Sequence, residues 1–294
     1  PRQVTILNVL DDQLDRFVDP ALVREKLTDV AKRATDALVL NADDQNVLQI
    51  NKEVAAAGTS WFGLAQQIIS GTEHGLGNAP TYLAELPRPK TQTEILSFNQ
   101  DETVALVADQ IIKFDLPNRG IHFALDAAAA LESARRYLGD SFDAQLAANT
   151  LTELPPVFAR GEITQVNGVD VEFILVQNPM SFQLNLDNLP ADQEQLMVAI
   201  GRDVHDPSWL WTVDLKNLKK VDLVSGFNFA ETALRLAYDE IPIGVIEPDL
   251  ELALDNFFAQ PAPSWGRRTV IFSADAMRRT RRHLGFTDPE AVGR

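Results

Sequence analysis

The sequence predicts an α/β protein built from doubly wound, mostly parallel sheets with helices on their faces. Short apolar runs rich in β-branched residues recur along the chain, as expected of strands buried on both faces, and helix-like segments separate them. The first such unit joins VTILNVL (residues 4–10), a helix opening at Asp19-Pro20 and ALVL (residues 37–40). A strand, a helix and a second strand in this order form a parallel pair.

The first half of the chain holds two predicted helices and one irregular stretch. The helix after Asp19 has an acidic N-cap and a proline in its first turn, with apolar residues at helical spacing at Leu22, Val23, Leu27 and Val30. Within residues 58–93 we expect short strands and an excursion, because regular structure is interrupted at Gly71, Gly75, Gly77, Pro80, Pro87 and Pro89. GIHFALDAAAALESARRYLG (residues 120–139) predicts an Ala-rich helix packed closely on another element.

The second half predicts a separate doubly wound domain. Pro155-Pro156 is the best candidate boundary, giving domains at residues 1–155 and 156–294. Functional groups of such sheets collect beyond the carboxyl ends of the strands. We expect strands near residues 171–177, 195–200, 221–225, 243–246 and 269–272, helices near 229–238 and 250–257, and polar groups just after the strands at Asn178-Pro179, 201–215, Ser225-Gly226 and 273–275.

Composition excludes several classes of function. The 294 residues carry a formal charge of −16, no cysteine and four histidines. Disulfides, thiol catalysis by this chain and cysteine-bound zinc are therefore excluded, and no dedicated transition-metal site is expected. The acidic balance opposes nucleic-acid binding, and MRRTRRH (residues 277–283) predicts a solvated helix face or a contact with an acidic partner. No apolar run reaches the length of a membrane span and no signal peptide is evident, which predicts a cytoplasmic protein.

Residues 201–215 (GRDVHDPSWLWTVDL) concentrate unusual chemistry. Three acids (Asp203, Asp206, Asp214) and His205 surround a Trp-Leu-Trp core directly after an apolar strand-like run. Tryptophan combines a large apolar area with a polar N–H, so the pair suits a shaped surface. It equally suits a plug at the edge of a domain.

Several motifs of the first half resemble the central ATPase domain of Mur ligases. DQLDR (residues 12–16) and LNADD (residues 40–44) are similar to its strand-end motifs, and a glutamine at position 13, where most of these ligases carry histidine, resembles the MurT family. Residues 120–129 resemble the family helix that lies against adenine, and FARGE (residues 158–162) resembles the start of its C-terminal domain. The resemblance implies ATP and Mg²⁺, with candidate binding residues Asn8, Gln13, Asp15, Asp43, His122, Asp126 and Arg160. On its residues alone, NVLDDQLDR (residues 8–16) equally predicts a capped loop.

The second half resembles the MurT family more specifically. VQNPMSF (residues 176–182) is similar to VKNPAGF, DPSWLWTVD (206–214) to DxSWxWDxD, and SADAM (273–277) to TYTAM. Residues 225–238 are similar to SGxRAxDxALRLxYAG. The likeness spans nearly the whole chain in family order. It implies a remainder of a central ATPase domain followed by a Rossmann-like C-terminal domain.

The resemblance also implies a reaction and a partner. MurT-type subunits and a GatD-type glutamine amidotransferase amidate the D-glutamate α-carboxyl of the lipid II stem peptide at the inner face of the cell membrane. The amidotransferase needs a cysteine, a histidine and a group that orients the histidine. Asp206 is the first candidate for that orienting acid and Asp214 the second. Asp206 alternatively suits an N-cap before Pro207, and Asp214 suits a cap or an ion pair with a nearby lysine.

Departures from the family pattern leave other functions open. The GTNGKT phosphate loop and the cysteines of a zinc ribbon are absent from these residues, and family positions differ at Asp11, Phe123, Asp126, Gln177, Thr212 and Asn228. Because the sequence starts directly in a strand, we expect the front of the domain to be missing and this chain alone to be inactive. A non-catalytic scaffold that binds an amidotransferase is the alternative. An ordinary Mur ligase that adds an amino acid is disfavoured by DQLDR and the Trp-x-Trp segment.

Overall fold

The computed structural model describes residues 1–10, 19–54, 58–99, 102–116, 120–154, 160–190 and 193–286. The chain divides into two compact units, Pro1–Pro155 and Pro156–Arg294. Within the described residues, each unit is built on one six-stranded sheet with helices. The predicted α/β class with largely parallel sheets is confirmed. No helix in these ranges has the length and apolarity needed to cross a membrane.

The strands of the first unit lie side by side in chain order. Four are parallel, β1 (Gln3–Ile6), β2 (Ala37–Asn41), β3 (Thr59–Leu64) and β4 (Thr93–Phe98), and two continue antiparallel, β5 (Thr103–Val107) and β6 (Gln110–Phe114). The helices are α1 (Pro20–Ala31), α2 (Gln45–Glu53), α3 (Gln66–Ser70), α4 (Ile121–Leu138) and α5 (Ala144–Glu153). Asp19 caps α1 by accepting from the Ala21 backbone, as predicted.

Two predictions for the first elements need correction. The first strand ends at Ile6 and is not buried on both faces, because it lies at one end of the described sheet. Thr5 is exposed, with its hydroxyl 2.8 Å from that of Ser133. On α1, Leu22 and Val30 are also exposed, and the fully buried positions are Thr28 and Ala31.

The excursion expected within residues 58–93 is an ordered loop, residues 71–92, that follows one strand and the short helix α3. Side-chain amides of α2 hold it. The Gln45 amide donates to the Leu86 carbonyl (3.0 Å) and accepts from the Leu86 N–H (2.9 Å), while Gln49 donates to the Ala84 carbonyl (2.7 Å). Each bond satisfies backbone that lacks a strand or helix partner.

The sheet of the second unit has the order β11-β10-β9-β12-β8-β7. All neighbours are parallel except the pair β7 and β8. The strands are β7 (Arg160–Val166), β8 (Val169–Leu175), β9 (Gln195–Ala199), β10 (Val221–Ser225), β11 (Ile243–Ile246) and β12 (Arg268–Phe272). The helices are α6 (Pro179–Asp187), α7 (Phe229–Tyr238), α8 (Leu250–Ala259) and α9 (Ala274–His283).

Helices cover both faces of this sheet. One core contains Phe182 of α6 and Leu236 of α7, and the other contains Leu254 of α8 and Met277 of α9. The chain leaves β9 toward β10 and later returns to β12 on the other side of β9. The order therefore reverses between β9 and β12, which places a crevice beyond their carboxyl ends.

The basic cluster at residues 277–283 lies on α9, as expected, and meets acids of its own unit. Three of its basic side chains pair with acids of this unit, so part of the basic charge is balanced locally. The contacts are Arg279 with Glu251 (2.5 Å), Arg281 with Glu162 (2.9 Å) and His283 with Asp255 (2.7 Å).

Candidate functional site

The loop after β9 is tied to the start of α9 by Asp203. The Ser273 hydroxyl donates to Asp203 Oδ1 (2.6 Å) and accepts from the Gly201 N–H (2.8 Å). The backbone N–H groups of Ala274 and Asp275 also donate to the Asp203 carboxylate, each at 2.9 Å. Asp203 thus satisfies the exposed donors of the α9 N-terminus from a different loop. The Asp203 carboxylate therefore holds the loop after β9 against the start of α9, beside the crevice.

Close backbone packing fixes the same loop. A side chain at Gly201 would place its Cβ 2.8 Å from the Ala276 nitrogen, and one at Gly226 would overlap the Ile200 carbonyl. The Asn228 amide donates to the carbonyls of Gly201 and Val204, both at 2.9 Å. The residues that lead into the Trp-Leu-Trp core therefore start from a fixed position.

The Trp-Leu-Trp core forms a 3-10 helix, Pro207–Thr212, and its two tryptophans have different environments. Trp209 is 8% exposed and packs edge-on against Phe182, with ring centroids 5.9 Å apart. Trp211 is 45% exposed and contacts Tyr238, with centroids 5.2 Å apart. Each of the two interpretations offered for the pair therefore applies to one residue: Trp209 fills the core and Trp211 shapes the surface.

Asp206 begins this helix and is exposed. Its Oδ1 accepts from the Ser208 N–H at 2.9 Å, so it is the N-cap that the sequence offered as an alternative. Hydrogen bonds from the Ser208 side chain and backbone hold the pKa of Asp206 below its usual value. The group is consequently a carboxylate at neutral pH, able to accept a further N–H from outside the unit.

Asp214 lies just after the helix and is engaged locally. Its Oδ1 accepts from the Lys216 N–H (3.0 Å), and its Oδ2 lies 3.1 Å from the Lys216 ammonium. These are the cap and the ion pair that its sequence context suggested. Of the two acids, Asp206 is the more accessible to a partner.

Two buried polar side chains that sequence reasoning did not single out hold the segment around this helix. Arg235 of α7 donates to the carbonyls of Leu210 (3.1 Å) and Val213 (2.9 Å). The Gln183 amide of α6 accepts from the Asp214 N–H (2.7 Å) and donates to the Asp214 carbonyl (3.1 Å). Both are polar residues with apolar neighbours along their helices. That pattern is the sequence signal from which a buried structural role could have been inferred.

In the first unit, Asp43 follows β2 and has a protein donor at each oxygen. Oδ2 accepts from the Leu64 N–H (2.7 Å) and Oδ1 from Arg88 Nε (2.6 Å). Arg88 also donates to Glu94 (3.0 Å). Burial raises the pKa of Asp43, which these hydrogen bonds oppose. Arg88, which was not predicted, neutralises the buried Asp43 and joins the long loop to the end of β3.

The neighbouring Asp44 is completely buried and also bonds to protein groups. It caps α2 by accepting from the Asn46 N–H (2.7 Å), and it accepts from the Val9 N–H (2.7 Å) beside half-buried Asn8. Burial raises the pKa of Asp44. The oxygen atoms of both acids therefore maintain the shape of this sheet edge.

The remaining candidates are at the start of α4 or outside the described residues. Asp126 is exposed on α4, and the His122 ring lies 4.2 Å from that of Phe123. Gln13, Asp15 and the side chain of Arg160 lie outside what the structure describes. Across the described ranges, no group of three or more histidine, aspartate or glutamate side chains is arranged to hold a metal ion. Nucleotide and Mg²⁺ binding by the predicted residues stays a prediction.

Replacing Asp203 by alanine is expected to destabilise the second unit by about 1–2 kcal/mol, the usual cost of losing a helix cap. Three of the four tryptophans, Trp209, Trp211 and Trp265, lie in this unit, so urea unfolding followed by tryptophan fluorescence reports mainly on it. Asp206→Ala is the matched control and should cost less, because its carboxylate is likewise exposed and accepts fewer hydrogen bonds from the protein. Equal losses for the two variants would contradict the structural role given to Asp203.

Comparisons with known proteins agree with this architecture. Residues 175–265 match the family model of the MurT ligase C-terminal domain. No curated protein matches the chain in sequence.

Solved structures with a similar fold include Mur ligases and a pseudomurein peptide ligase. A pseudomurein peptide ligase type C from Methanothermus fervidus is 13% identical with a TM-score of 0.73, and the match covers 97% of this chain and 63% of that one. MurF from Acinetobacter baumannii is 15% identical (TM-score 0.66, 95% and 60% covered), and MurF from Thermotoga maritima in complex with ADP is 18% identical (0.64, 97% and 61%). The chain therefore spans about three-fifths of these structures. It has the fold of the corresponding part of a Mur ligase, with a MurT-type segment in its second unit.

Proposed function

We propose that the chain is the ligase-like subunit of a glutamine-dependent, ATP-driven amidation of the D-glutamate α-carboxyl in the lipid II stem peptide. Its partner is a GatD-type glutamine amidotransferase, and the complex acts in the cytoplasm at the inner face of the membrane. The MurT-type match of residues 175–265 and the Mur-ligase-like fold support this proposal. The strongest single support is an exposed carboxylate, Asp206, on a helix that the protein fixes in place.

In the glutaminase reaction, Asp206 would act on a histidine of the partner. A cysteine nucleophile needs a histidine to take its proton, and the second ring N–H of that histidine needs an acceptor that holds the ring in one tautomer and orientation. This chain has no cysteine, so the nucleophile belongs to the partner. Asp206 suits the acceptor role because its lowered pKa keeps it charged over the working range of histidine. Asp214, already paired with Lys216, is the weaker candidate.

In the ligase reaction, ATP would convert the substrate carboxylate to an acyl phosphate that ammonia attacks. Among the described residues, His122 and Asp126 at the start of α4 are the candidates for contact with the nucleotide. The Asp43 side chain is 2% exposed, and its two oxygens accept hydrogen bonds from Leu64 and Arg88, so it is poorly placed to reach a ligand. In this proposal Asp43 positions the loop after β2, and Asn8, Gln13 and Asp15 are the candidates for binding a cation.

A second candidate function is a non-catalytic scaffold that binds the amidotransferase. The hydrogen bonds that Asp43 and Asp44 accept from buried protein donors favour it, since such bonds serve the fold. Ligand binding to the native state raises stability by mass action, so a thermal shift separates the two functions.

If the chain belongs to a working ligase subunit, ATP with Mg²⁺ should raise the melting temperature of the complete native subunit. The shift should grow with nucleotide concentration, and AMP is the control. Partner binding with no shift at any ATP concentration would select the scaffold function.

Asp206→Asn is expected to lower glutamine hydrolysis by the co-purified amidotransferase strongly. Replacing the orienting acid of a serine protease triad by asparagine costs about 10⁴-fold in kcat, which sets the scale. The measurement is the rate of glutamate release at saturating glutamine and saturating subunit. Asp214→Asn is the matched control, since it removes an equal charge eight residues away, and it should leave the rate nearly unchanged. A full rate for Asp206→Asn would remove Asp206 from the mechanism.

A further inference from the structure

A buried arginine binds the end of the 3-10 helix Pro207–Thr212 that lies opposite Asp206. Arg235 is 8% exposed, and it donates to the carbonyls of Leu210 and Val213. The last carbonyls of a helix need partners beyond its regular hydrogen bonds. Arg235 adds a side-chain donor to the Leu210 carbonyl, which also accepts from the Val213 N–H at 3.4 Å, and to the Val213 carbonyl just beyond the helix. Asp206 caps the N-terminus of the same helix, so one side chain satisfies each end.

The guanidinium has two further contacts that fix its orientation. Asp239, four residues after Arg235, places its Oδ1 2.5 Å from Nη1 of the guanidinium. The guanidinium carbon lies 5.3 Å from the centre of the Trp211 ring. Planar guanidinium groups present several donors in a fixed fork and stack on aromatic faces, whereas a lysine ammonium is a single point of charge. The site therefore uses properties that arginine has and lysine lacks.

The length of the helix links these contacts to Asp206. Six residues of 3-10 helix extend about 12 Å at roughly 2 Å per residue, so a short helix held at one end positions a group at the other. Trp209 anchors its middle in the core, and Gln183 holds the backbone of Asp214 just beyond it. Without Arg235, the carbonyl end would lose these two side-chain hydrogen bonds and keep the Val213 N–H bond, so the helix would be free to tilt about Trp209.

We propose that Arg235, oriented by Asp239, is a positioning residue for Asp206 in glutamine hydrolysis. Arg235 sets where the Asp206 carboxylate is presented to the partner and does not touch the reacting atoms. This proposal rests on the proposed function. Displacement of a catalytic group by about 1 Å can cost on the order of 10²-fold in rate, which is the effect expected when the arginine is removed.

The test is a double-mutant cycle on the complex of the full subunit with its amidotransferase. Arg235→Met should lower kcat for glutamine hydrolysis on the order of 10²-fold with little change in KM, because glutamine binds to the partner. Arg235→Lys should recover only part of the loss. In the Asp206→Asn background, Arg235→Met should have no further effect. Arg279→Met, which removes an arginine paired with Glu251 on α9, is the matched control and should retain full activity.

A wild-type kcat for Arg235→Met, or an equal additional loss in the Asp206→Asn background, would overturn the proposal. Amide hydrogen exchange tests whether Arg235 holds the helix, independently of whether Asp206 takes part in glutamine hydrolysis. Faster exchange in Arg235→Met confined to residues 208–214, with circular dichroism unchanged, is expected even if Asp206→Asn proves fully active. In that case the proposed role of Asp206 fails although the helix is held as described. Unchanged exchange at these residues would overturn the positioning role, and if Arg235→Met does not fold, Arg235→Lys provides the same readouts.

Discussion

The polar backbone of the loops beyond the strands must find hydrogen-bond partners, and in both units buried side chains supply them. A buried N–H or carbonyl without a partner costs free energy comparable to a lost hydrogen bond. Asp44 supplies acceptors to Val9 and Asn46 in the first unit, and Arg235 supplies donors to Leu210 and Val213 in the second. The shape of each candidate site depends on these few side chains.

This constraint separates the acids at the strand ends into two groups. Asp43 and Asp203 lie where ligands bind in sheets of this type, yet their oxygens accept from groups of the protein. Asp206 satisfies one backbone N–H and is exposed to solvent. The number of hydrogen bonds accepted from the protein thus distinguishes an acid that holds a loop from one that can serve another molecule.

The strands and helices of the second unit were predictable because their signals are local. Residues 221–225, 243–246 and 229–238 were placed correctly from apolar runs and helical spacing. The strands β4 to β6 were not predicted, since their short alternating patterns lie among turn residues. The true extent of β1 depends on its place at one end of the described sheet, which a run of apolar residues does not reveal.

The candidate site was only partly predictable because its supporting contacts are distant in sequence. Arg88 meets Asp43 across 45 positions, and Arg235 meets Leu210 across 25. Asp206 could be singled out by its place before Trp209, but whether it would be buried or exposed follows from the packing of the whole segment. The sequence therefore identifies Asp206 as a candidate, and the fold determines whether other molecules can reach its carboxylate.

A structure of the full subunit bound to its glutamine amidotransferase would show whether Asp206 orients the partner histidine. The decisive quantity is the distance from an Asp206 carboxylate oxygen to the nearest ring nitrogen of the partner histidine beside the nucleophilic cysteine. We expect a hydrogen bond of about 2.7–3.2 Å between the Asp206 oxygen and that ring nitrogen. An Asp206 that stays in solvent, with that histidine held by another group, would contradict it.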